Sequence, residues 1–302
     1  MKIIVNEDIK KRLDKYLANV INKKSRSEIK RSIKKGLVRV NNEKITKPSH
    51  EVQVNDIINI TFSSKKKIKF KPEQIPLDIV YEDEFLLILN KPSDMVVHPA
   101  KHHESGTLVN GLLYHFKKLS KMKSIRPGIV HRLDKNTTGL MVVAKNDNTH
   151  KTLSKMIEMK EVRRIYWAVL VREMEKKEGT VIAPIGRNKN NRTKMSVELD
   201  GKYAETEYRI LKSKNDFSLV EFELKTGRTH QIRVHSDYIG HPIIGDTKYG
   251  DNQVNEKYKE IQRPLLHSKI IKFSHPNLDK YIEIEINLPE DFLKFSEKIG
   301  LL

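Results

Sequence analysis

The chain is organised around residues 128–139, which read Gly-Ile-Val-His-Arg-Leu-Asp-Lys-Asn-Thr-Thr-Gly. A single carboxylate, Asp134, stands there among His131, Arg132 and Lys135, and an apolar run follows at 140–144. The polar segment predicts a turn and the apolar run a buried strand. Nearby positive charge favours the ionised form of an acid. The segment therefore indicates either an activated carboxylate in front of a strand or a surface Asp in a salt-bridged loop.

Composition narrows the class of partner. The 302 residues carry a formal net charge of +19, with 32% charged and 37% hydrophobic residues. The first 70 residues alone hold 19 Lys/Arg against 7 Asp/Glu. Such an excess indicates either a polyanionic partner or a solubilising Lys-rich surface, and its uneven distribution favours a binding face. The chain has no Cys, which excludes disulfides, thiolate metal sites and thiol catalysis.

The sequence shows no signal for a membrane or for secretion. Residues 1–8 lack the apolar core and cleavage site of a signal peptide. No apolar run approaches the roughly 20 residues that a membrane helix needs. We expect a soluble, cytoplasmic protein without a membrane partner.

The first 64 residues predict a small α/β unit. Apolar spacing predicts a helix over 9–21, and a capping box of Ser25 with Glu28 predicts a second helix that ends near Gly36. Strands are predicted at 38–40 and 57–60, with a turn at 41–42. Basic residues share one side of the second helix at 100° per residue, namely Lys30, Arg31, Lys34 and Lys35.

This unit resembles the RNA-binding module named after ribosomal protein S-four over roughly residues 9–62. The resemblance rests on Arg12-Leu13-Asp14, on 25–27 and on 36–41. It implies an RNA-binding domain at 1–64. It also implies RNA contacts from five residues, Arg12, Arg26, Ser27, Lys30 and Lys34. The alternative is a solvated basic helix.

Residues 65–74 predict a linker, because they are charged and contain Pro72. The larger domain then spans 75–302. Its strand candidates lie at 85–90, 140–144, 163–171, 205–211, 219–224 and 281–286. Many strands with few intervening helices predict an α+β fold with a mixed, largely antiparallel sheet. No G-x-G-x-x-G motif follows a strand, which argues against a nucleotide cofactor fold.

A second polar constellation lies at 226–235, after the strand candidate at 219–224. It reads Thr-Gly-Arg-Thr-His-Gln-Ile-Arg-Val-His. Thr229 is a candidate N-cap of a helix that starts there. With Arg228 beside it, such a helix N-terminus forms an anion site. The anion is either a phosphate or the Asp134 carboxylate, and the alternative is an exposed helix start with ordinary salt bridges.

Both segments resemble motifs of the RluA-type pseudouridine synthases, H-R-L-D-x-x-T-S-G and G-R-T-H-Q-I-R-V-H. Thr138 replaces the Ser of the first motif. Further similarity at 89–99, 106–110 and 263–268 extends the match over about 75–289. Asp94 stands where the family usually has Gly. If that turn needs a positive φ, Asp is among the residues that tolerate it, and otherwise the local backbone differs.

The resemblance implies the pseudouridine synthase fold and a set of site residues. Asp134 would be the essential catalytic residue, paired with Arg228, and Tyr166 the active-site Tyr. A strand Tyr between apolar neighbours is otherwise a core residue. Ile232 would lie in the floor of the uracil pocket. Further contacts to RNA or the base would come from His131, Arg132, Thr229 and Arg233.

The implied reaction breaks the glycosidic bond of uridine and rejoins the base through carbon 5. A hydrolysing glycosidase normally needs two carboxylates, whereas one stands out here. Asp134 would attack the anomeric carbon to form an acylal or assist elimination to a glycal, with Tyr166 placed to move the 2′ proton. The target base must be flipped out of the RNA, and Arg132 is placed by resemblance to fill the space. No metal or organic cofactor is required.

The residues around Val97 and Gly106 resemble the RluD-like enzymes, so we expect large-subunit (23S) ribosomal RNA as partner and a monomer. Alternatives are a tRNA pseudouridine synthase, a non-catalytic RNA-binding factor in ribosome assembly, and an RNA N-glycosidase. The cluster of His98 with 102–104 matches no standard zinc spacing, so a metal is not expected. The basic run at 187–194 predicts phosphate contacts or a mobile solvated loop.

Overall fold

A computed structural model describes residues 1–6, 11–21, 24–62, 71–99, 104–122 and 126–302 of the chain. The chain divides into two compact units, Met1–Ile68 and Lys69–Leu302. Residues 65–70 of the predicted linker and residues 102–103 of the histidine cluster lie outside the described residues. In the described part of the chain, no helix has both the length and the apolar character needed to cross a membrane.

The N-terminal unit packs two helices against a small sheet. Its elements are β1 (Lys2–Ile4), β2 (Lys11–Arg12), α1 (Leu13–Val20), α2 (Arg26–Lys34), β3 (Val38–Val40), β4 (Glu43–Ile45), β5 (Glu51–Val52) and β6 (Ile57–Ile60). Four strands form a sheet in the order β1-β6-β3-β4, and β2 pairs with β5. Apolar residues of both helices and of the sheet share one core, which includes Leu17, Ile29 and Ile58.

Three local predictions for this unit are confirmed and one is wrong. The Ser25–Glu28 capping box begins α2, Gly36 adopts φ +67° after it, and residues 41–42 form a two-residue turn with positive φ. The first helix, however, begins at Leu13 rather than at residue 9. Arg12 is extended and pairs with Glu51 in a short strand, so the chain cannot be helical there.

The larger unit contains one nine-stranded sheet, a two-stranded ribbon and five helices among the described residues. Its elements are β7 (Asp78–Glu82), β8 (Leu86–Lys91), α3 (Leu108–His115), β9 (Thr138–Ala144), α4 (Asp147–Glu158), β10 (Arg163–Val171), β11 (Glu178–Ile182), β12 (Ile185–Arg187), β13 (Met195–Val197), β14 (Glu205–Lys214), β15 (Phe217–Leu224), α5 (Gln231–Tyr238), α6 (Asn252–Lys257), β16 (Leu266–Ser274), β17 (Tyr281–Glu285) and α7 (Glu290–Lys298).

The sheet is mixed and largely antiparallel, as predicted. Its order is β11-β14-β15-β10-β16-β9-β8-β7, and β17 pairs with β16. Only β9 and β16 run parallel among these pairs. The six predicted strands of this unit are confirmed with small shifts at their ends. The α+β fold class is therefore confirmed.

Both faces of the sheet are buried, which explains the nearly continuous apolar runs of its central strands. On one face, alternate residues such as Tyr166 and Ala168 pack with α3 and with Ile232 of α5. On the other face, Leu140 and its alternate neighbours pack with α4. Further along that face, Val169 and its neighbours pack with α7. Tyr166 thus points to the side of the sheet that carries α5.

The pairing of three strands brings the 128–139 segment next to Tyr166. Ser268 of β16 lies opposite Tyr166 of β10 on one side and opposite Gly139 of β9 on the other. Gly139 adopts φ +112°, and a Cβ at this position would lie 2.3 Å from the Ser268 carbonyl oxygen. The conformation and the close approach both require Gly, so this residue sets where the loop that carries Asp134 enters the sheet.

Replacement of Gly139 by Ala tests this close approach. We expect Gly139→Ala to lower the free energy of unfolding by roughly 3 kcal/mol or more, because the methyl group collides with backbone that cannot move without breaking the β9–β16 pair. Chemical denaturation followed by circular dichroism measures the change.

Gly240→Ala is the matched control, because Gly240 also has a positive φ but a Cβ added there would meet no atom within 4 Å. It should cost only about 1 kcal/mol for the left-handed backbone. Equal losses in the two variants would contradict the close approach.

Candidate active site

Asp134 lies in the loop immediately before β9, at the mouth of a pocket. Its side chain is 17% exposed. The backbone around it is fixed, because Leu133 is buried in the core and Thr137 N donates to the Asp134 carbonyl oxygen at 3.2 Å. The pocket is lined by Asp134, Tyr166, Ile232 and Leu266 among others. A partly buried carboxylate therefore faces a recess of mixed polar and apolar lining that contains the predicted Tyr and Ile.

The guanidinium that binds Asp134 belongs to Arg233. Its Nη1 donates to Asp134 Oδ2 at 3.0 Å, and its Nε and Nη2 donate to Asp246 at 2.6 and 2.8 Å. Burial alone would lower the pKa of Arg233, but the hydrogen bonds and charges of Asp246 and Asp134 outweigh burial and raise it. One permanently charged side chain thus links two carboxylates.

The predicted pairing of Arg228 with Asp134 is wrong in this structure. Arg228 lies before α5, where its Nε donates to the Tyr203 carbonyl oxygen at 2.7 Å and its backbone N–H donates to Gln231 Oε1 at 2.9 Å. Arg228 still lines the pocket. Arg233 is the third residue of α5, and its side chain projects from the first turn of this helix to Asp134.

Asp246 binds Arg233 on the side of the guanidinium that does not face Asp134. Its side chain is completely buried and also accepts hydrogen bonds from the backbone N–H groups of Lys248 and Tyr249. Burial alone would raise the pKa of Asp246, but the bonds from Arg233 and the backbone lower it. The carboxylate therefore stays ionised. Sequence reasoning missed Asp246, although an acid that follows the apolar pair Ile243–Ile244 after a single Gly is a signal of a buried, partnered charge.

His230 and Tyr249 complete the surroundings of Asp134. His230 Nε2 is 3.9 Å from Asp134 Oδ1, and its Nδ1 shares a 2.7 Å hydrogen bond with Tyr249 Oη. The Arg233 guanidinium lies 5.0 Å from the Tyr249 ring centre. Burial lowers the pKa of His230, so the ring is neutral near pH 7.

The start of α5 differs from the prediction. Thr229 is exposed and is not the N-cap, which is His230 in the left-handed region at φ +58°. The Gln231 side chain instead binds this helix start, because its Oε1 accepts from Arg228 N and from Thr226 Oγ1. The Arg228 backbone donor therefore has its partner within the chain. An RNA contact from Thr229 stays a prediction.

Tyr166 is 4% exposed, and burial raises its pKa, so the phenol is protonated at neutral pH. It lines the pocket together with Asp134. Its role toward a base or sugar stays a prediction, as does that of Ile232.

Arg132 lines the same pocket, whereas its neighbour His131 does not. His131 Nε2 accepts from Val142 N at 2.9 Å, and burial with the nearby charge of Arg164 lowers the His131 pKa to about 3. Arg132 is exposed at the pocket rim. Their predicted contacts with RNA remain predictions.

Lys91 ties the loop of Asp134 to the preceding loop. The side chain is completely buried, and its Nζ donates to the carbonyl oxygens of Pro92, Met95 and Lys135 at 2.6, 3.1 and 3.0 Å. Burial lowers its pKa to about 7, against the opposing charge of Asp134. Asp94 has φ +63°, so the turn that usually contains Gly does require the left-handed region. No specific role was predicted for Lys91, although a Lys that ends an apolar strand needs partners.

In the N-terminal unit, the predicted RNA contacts form an exposed cationic surface. Arg26, Ser27, Lys30 and Lys34 are exposed on α2. Arg12 donates to both carboxylate oxygens of the buried Asp14 at 3.1 and 3.2 Å, and Arg26 lies 3.5 Å from Asp14. Burial would raise the pKa of Asp14, but the two arginines lower it. Asp14 thus orients two of the five residues while leaving them accessible.

No group of three His, Cys, Asp or Glu side chains suited to a metal occurs among the described residues. His98 is buried, and burial together with the charges of Arg126 and Arg132 lowers its pKa to about 4.

The basic run at 187–194 connects β12 to β13, and the Lys194 ammonium lies 5.9 Å from the Tyr249 ring centre. Its predicted phosphate contacts remain a prediction.

Comparison with known proteins defines first the class of the enzyme. Residues 85–238 match the family model described as RNA pseudouridylate synthase, and residues 11–58 match the model of the S4 domain. The larger unit is therefore that of an RNA-modifying isomerase, preceded by an RNA-binding domain. The chain belongs to the RNA pseudouridine synthase family.

Full-length relatives agree with this assignment. The chain is 43% identical to the uncharacterized RNA pseudouridine synthase YlyB of Bacillus subtilis, over 97% of this chain and 95% of that protein. It is 38% identical to ribosomal large subunit pseudouridine synthase D of Pasteurella multocida, over 95% and 91%. The solved structure of human RNA pseudouridylate synthase domain containing 4 aligns with a TM-score of 0.58 at 25% identity, over 74% of this chain and 93% of that chain.

A pair of Lys substitutions tests which arginine positions Asp134. We expect Arg233→Lys to reduce uridine isomerisation by about 100-fold or more, because an ammonium group cannot bridge two carboxylates with the geometry of a guanidinium. Tritium release from RNA that carries carbon-5-tritiated uridine measures the rate. Arg228→Lys should lose less than about 5-fold. The opposite ranking would restore the pairing predicted from the sequence.

Proposed function

We propose that this chain isomerises specific uridines of large-subunit ribosomal RNA, with Asp134 as the nucleophile. The observation that supports the proposal best is the position of the Asp134 carboxylate, which Arg233 binds at the mouth of a pocket lined by Tyr166 and Ile232. Relatives whose names specify the ribosomal large subunit favour that RNA as substrate. The accessible cations on α2 fit structured RNA.

In this mechanism the Asp134 oxygen attacks the anomeric carbon of the flipped uridine as the bond to N1 breaks. The base leaves as an anion, turns in the pocket, and its carbon 5 attacks the same carbon while the Asp134 ester bond breaks. The proton at carbon 5 then leaves and a proton is added at N1, so the aromatic ring is restored and the overall change is an isomerisation. Arg233 keeps Asp134 ionised and oriented before and after the covalent step. No water enters the overall reaction, which fits the presence of one carboxylate at the pocket.

The state of Tyr166 favours this nucleophilic route over elimination to a glycal. A general base that removes the 2′ proton works best when its pKa lies near the operating pH. Burial raises the pKa of Tyr166 and leaves the phenol protonated. We therefore assign Tyr166 to packing against the base and hydrogen bonding to the sugar.

The test is tritium release from carbon-5-tritiated ribosomal RNA of a strain that lacks this protein. Wild type should release tritium, and Asp134→Asn should fall below about one-thousandth of that rate while its RNA affinity changes little. Asp216→Asn is the matched control, because Asp216 is an exposed hairpin residue with φ +61° that Asn tolerates, and it should match wild type.

Other outcomes separate the alternatives. Release from a tRNA pool but not from ribosomal RNA would contradict the proposed substrate. Tight, salt-sensitive binding without release from either RNA would favour an assembly factor. Full activity of Asp134→Asn would remove Asp134 from the mechanism, and an abasic product would indicate an N-glycosidase.

A further inference from the structure

A second recess opens beside the pocket of Asp134. This cleft, of about 510 Å³, lies between the start of β10, the helix α4 and the turn 226–229. Asp134 and Tyr166 line both the cleft and the pocket. A ligand whose reacting atom faces Asp134 therefore extends directly into the cleft.

Arg164 is the central cation of this cleft. It is 4% exposed and lies two residues before Tyr166 on β10, so both side chains project from the same face of the strand. Its Nη2 donates to the Leu224 carbonyl oxygen at 3.4 Å, and its Nε has no hydrogen-bond partner. Within the described ranges, no carboxylate forms an ion pair with Arg164. Its neighbour Arg163, in contrast, points outward and binds Glu223 at 2.6 Å.

Two further buried polar atoms in the cleft lack a partner. His131 Nε2 accepts a hydrogen bond from Val142 N, so the proton of the neutral ring is on Nδ1, and that buried donor has no acceptor. Ser154 Oγ of α4 is in the same situation. Each buried polar atom without a partner costs about 1–3 kcal/mol. Together with Arg164 Nε, the cleft therefore contains three buried polar atoms without a partner. Their presence in one cleft indicates that a polar ligand completes the site.

The charge of the cleft selects an anion. Arg126, Arg132 and Arg228 add positive charge around Arg164, whereas the acids that line the cleft are Asp134 and Glu158. Gly227 leaves access to the guanidinium, because a Cβ there would lie 3.3 Å from Arg164 Nη1. A planar guanidinium with open donors suits a phosphate.

We propose that the cleft binds the phosphodiester next to the target uridine, with Arg164 and His131 as hydrogen-bond donors. The proposal rests on the proposed function, because it takes the uridine sugar to lie at Asp134. From there the adjoining phosphate of the strand reaches the cleft that shares Asp134 with the base pocket. Arg164 thereby fixes the position of the nucleotide by its backbone, independently of its base.

The test measures binding rather than turnover. The probes are the fluorescein-labelled trinucleotide UpUpU and two versions in which one of its phosphodiesters is an uncharged methylphosphonate. Fluorescence anisotropy gives Kd for the full chain as wild type, Arg164→Gln and Arg163→Gln. Arg163→Gln is the matched control, because it removes the same charge from the opposite face of the same strand.

For wild type, one of the two methylphosphonate probes should bind about 5-fold or more weakly than UpUpU. Arg164→Gln should bind UpUpU more weakly by a similar factor and lose the difference between probes. Arg163→Gln should behave as wild type. Gly227→Ala keeps every charge but restricts access to Arg164, so it should also weaken UpUpU binding at an unchanged melting temperature, which separates the site from a general loss of folding.

Equal affinity of wild type for all three probes would overturn the proposal, and so would an undiminished difference between probes in Arg164→Gln. Because no turnover is needed, the two proposals fail separately. Phosphate-dependent binding without tritium release would remove the isomerase mechanism at Asp134 and leave the anion site standing. Tritium release without phosphate-dependent binding would support the isomerase mechanism and remove the anion site.

Discussion

The site depends on one buried cation that is shared by two carboxylates. Arg233 is anchored by two hydrogen bonds to the completely buried Asp246 and offers its remaining Nη1 to Asp134. Removing one partner of such a buried pair typically costs about 3–5 kcal/mol, because the other charge stays desolvated. Asp246 therefore restricts Arg233 to one orientation, and Arg233 restricts the Asp134 carboxylate. In the proposed nucleophilic role, a carboxylate held in advance needs little reorganisation when the substrate arrives.

The sheet supplies the frame for this arrangement. Ser268 of β16 pairs with Gly139 of β9 on one side and with Tyr166 of β10 on the other. The end of the Asp134 loop and Tyr166 therefore lie at the same position along their strands. The buried Lys91 then fastens the Asp134 loop through the Lys135 carbonyl oxygen. These contacts join residues that are far apart in the chain. They place an acid, an aromatic ring and the cleft of Arg164 next to one another.

Much of the fold and part of the site follow from the sequence, because they depend on local patterns. The apolar runs predicted the central strands, the Ser25–Glu28 box predicted the start of α2, and the motif around Asp134 indicated the acid. The choice between Arg228 and Arg233 could not follow, because their spacing in the chain does not tell which guanidinium a helix directs to a distant loop. The roles of Asp246 and Arg164 were not predicted for a related reason. Their importance lies in burial and in partners that only the packed sheet defines.

The most direct test of this account is the single-turnover rate of Asp246→Asn together with its affinity for RNA. Asp246 is completely buried and does not line the pocket, so the substitution changes no residue that lines the pocket. If Asp246 holds the site through Arg233, the rate of uridine isomerisation should fall by about 100-fold, at a Kd for RNA within about 2-fold of wild type. An unchanged rate in a folded variant would contradict the account, because Asp134 would then be positioned without the chain of charges that starts at Asp246.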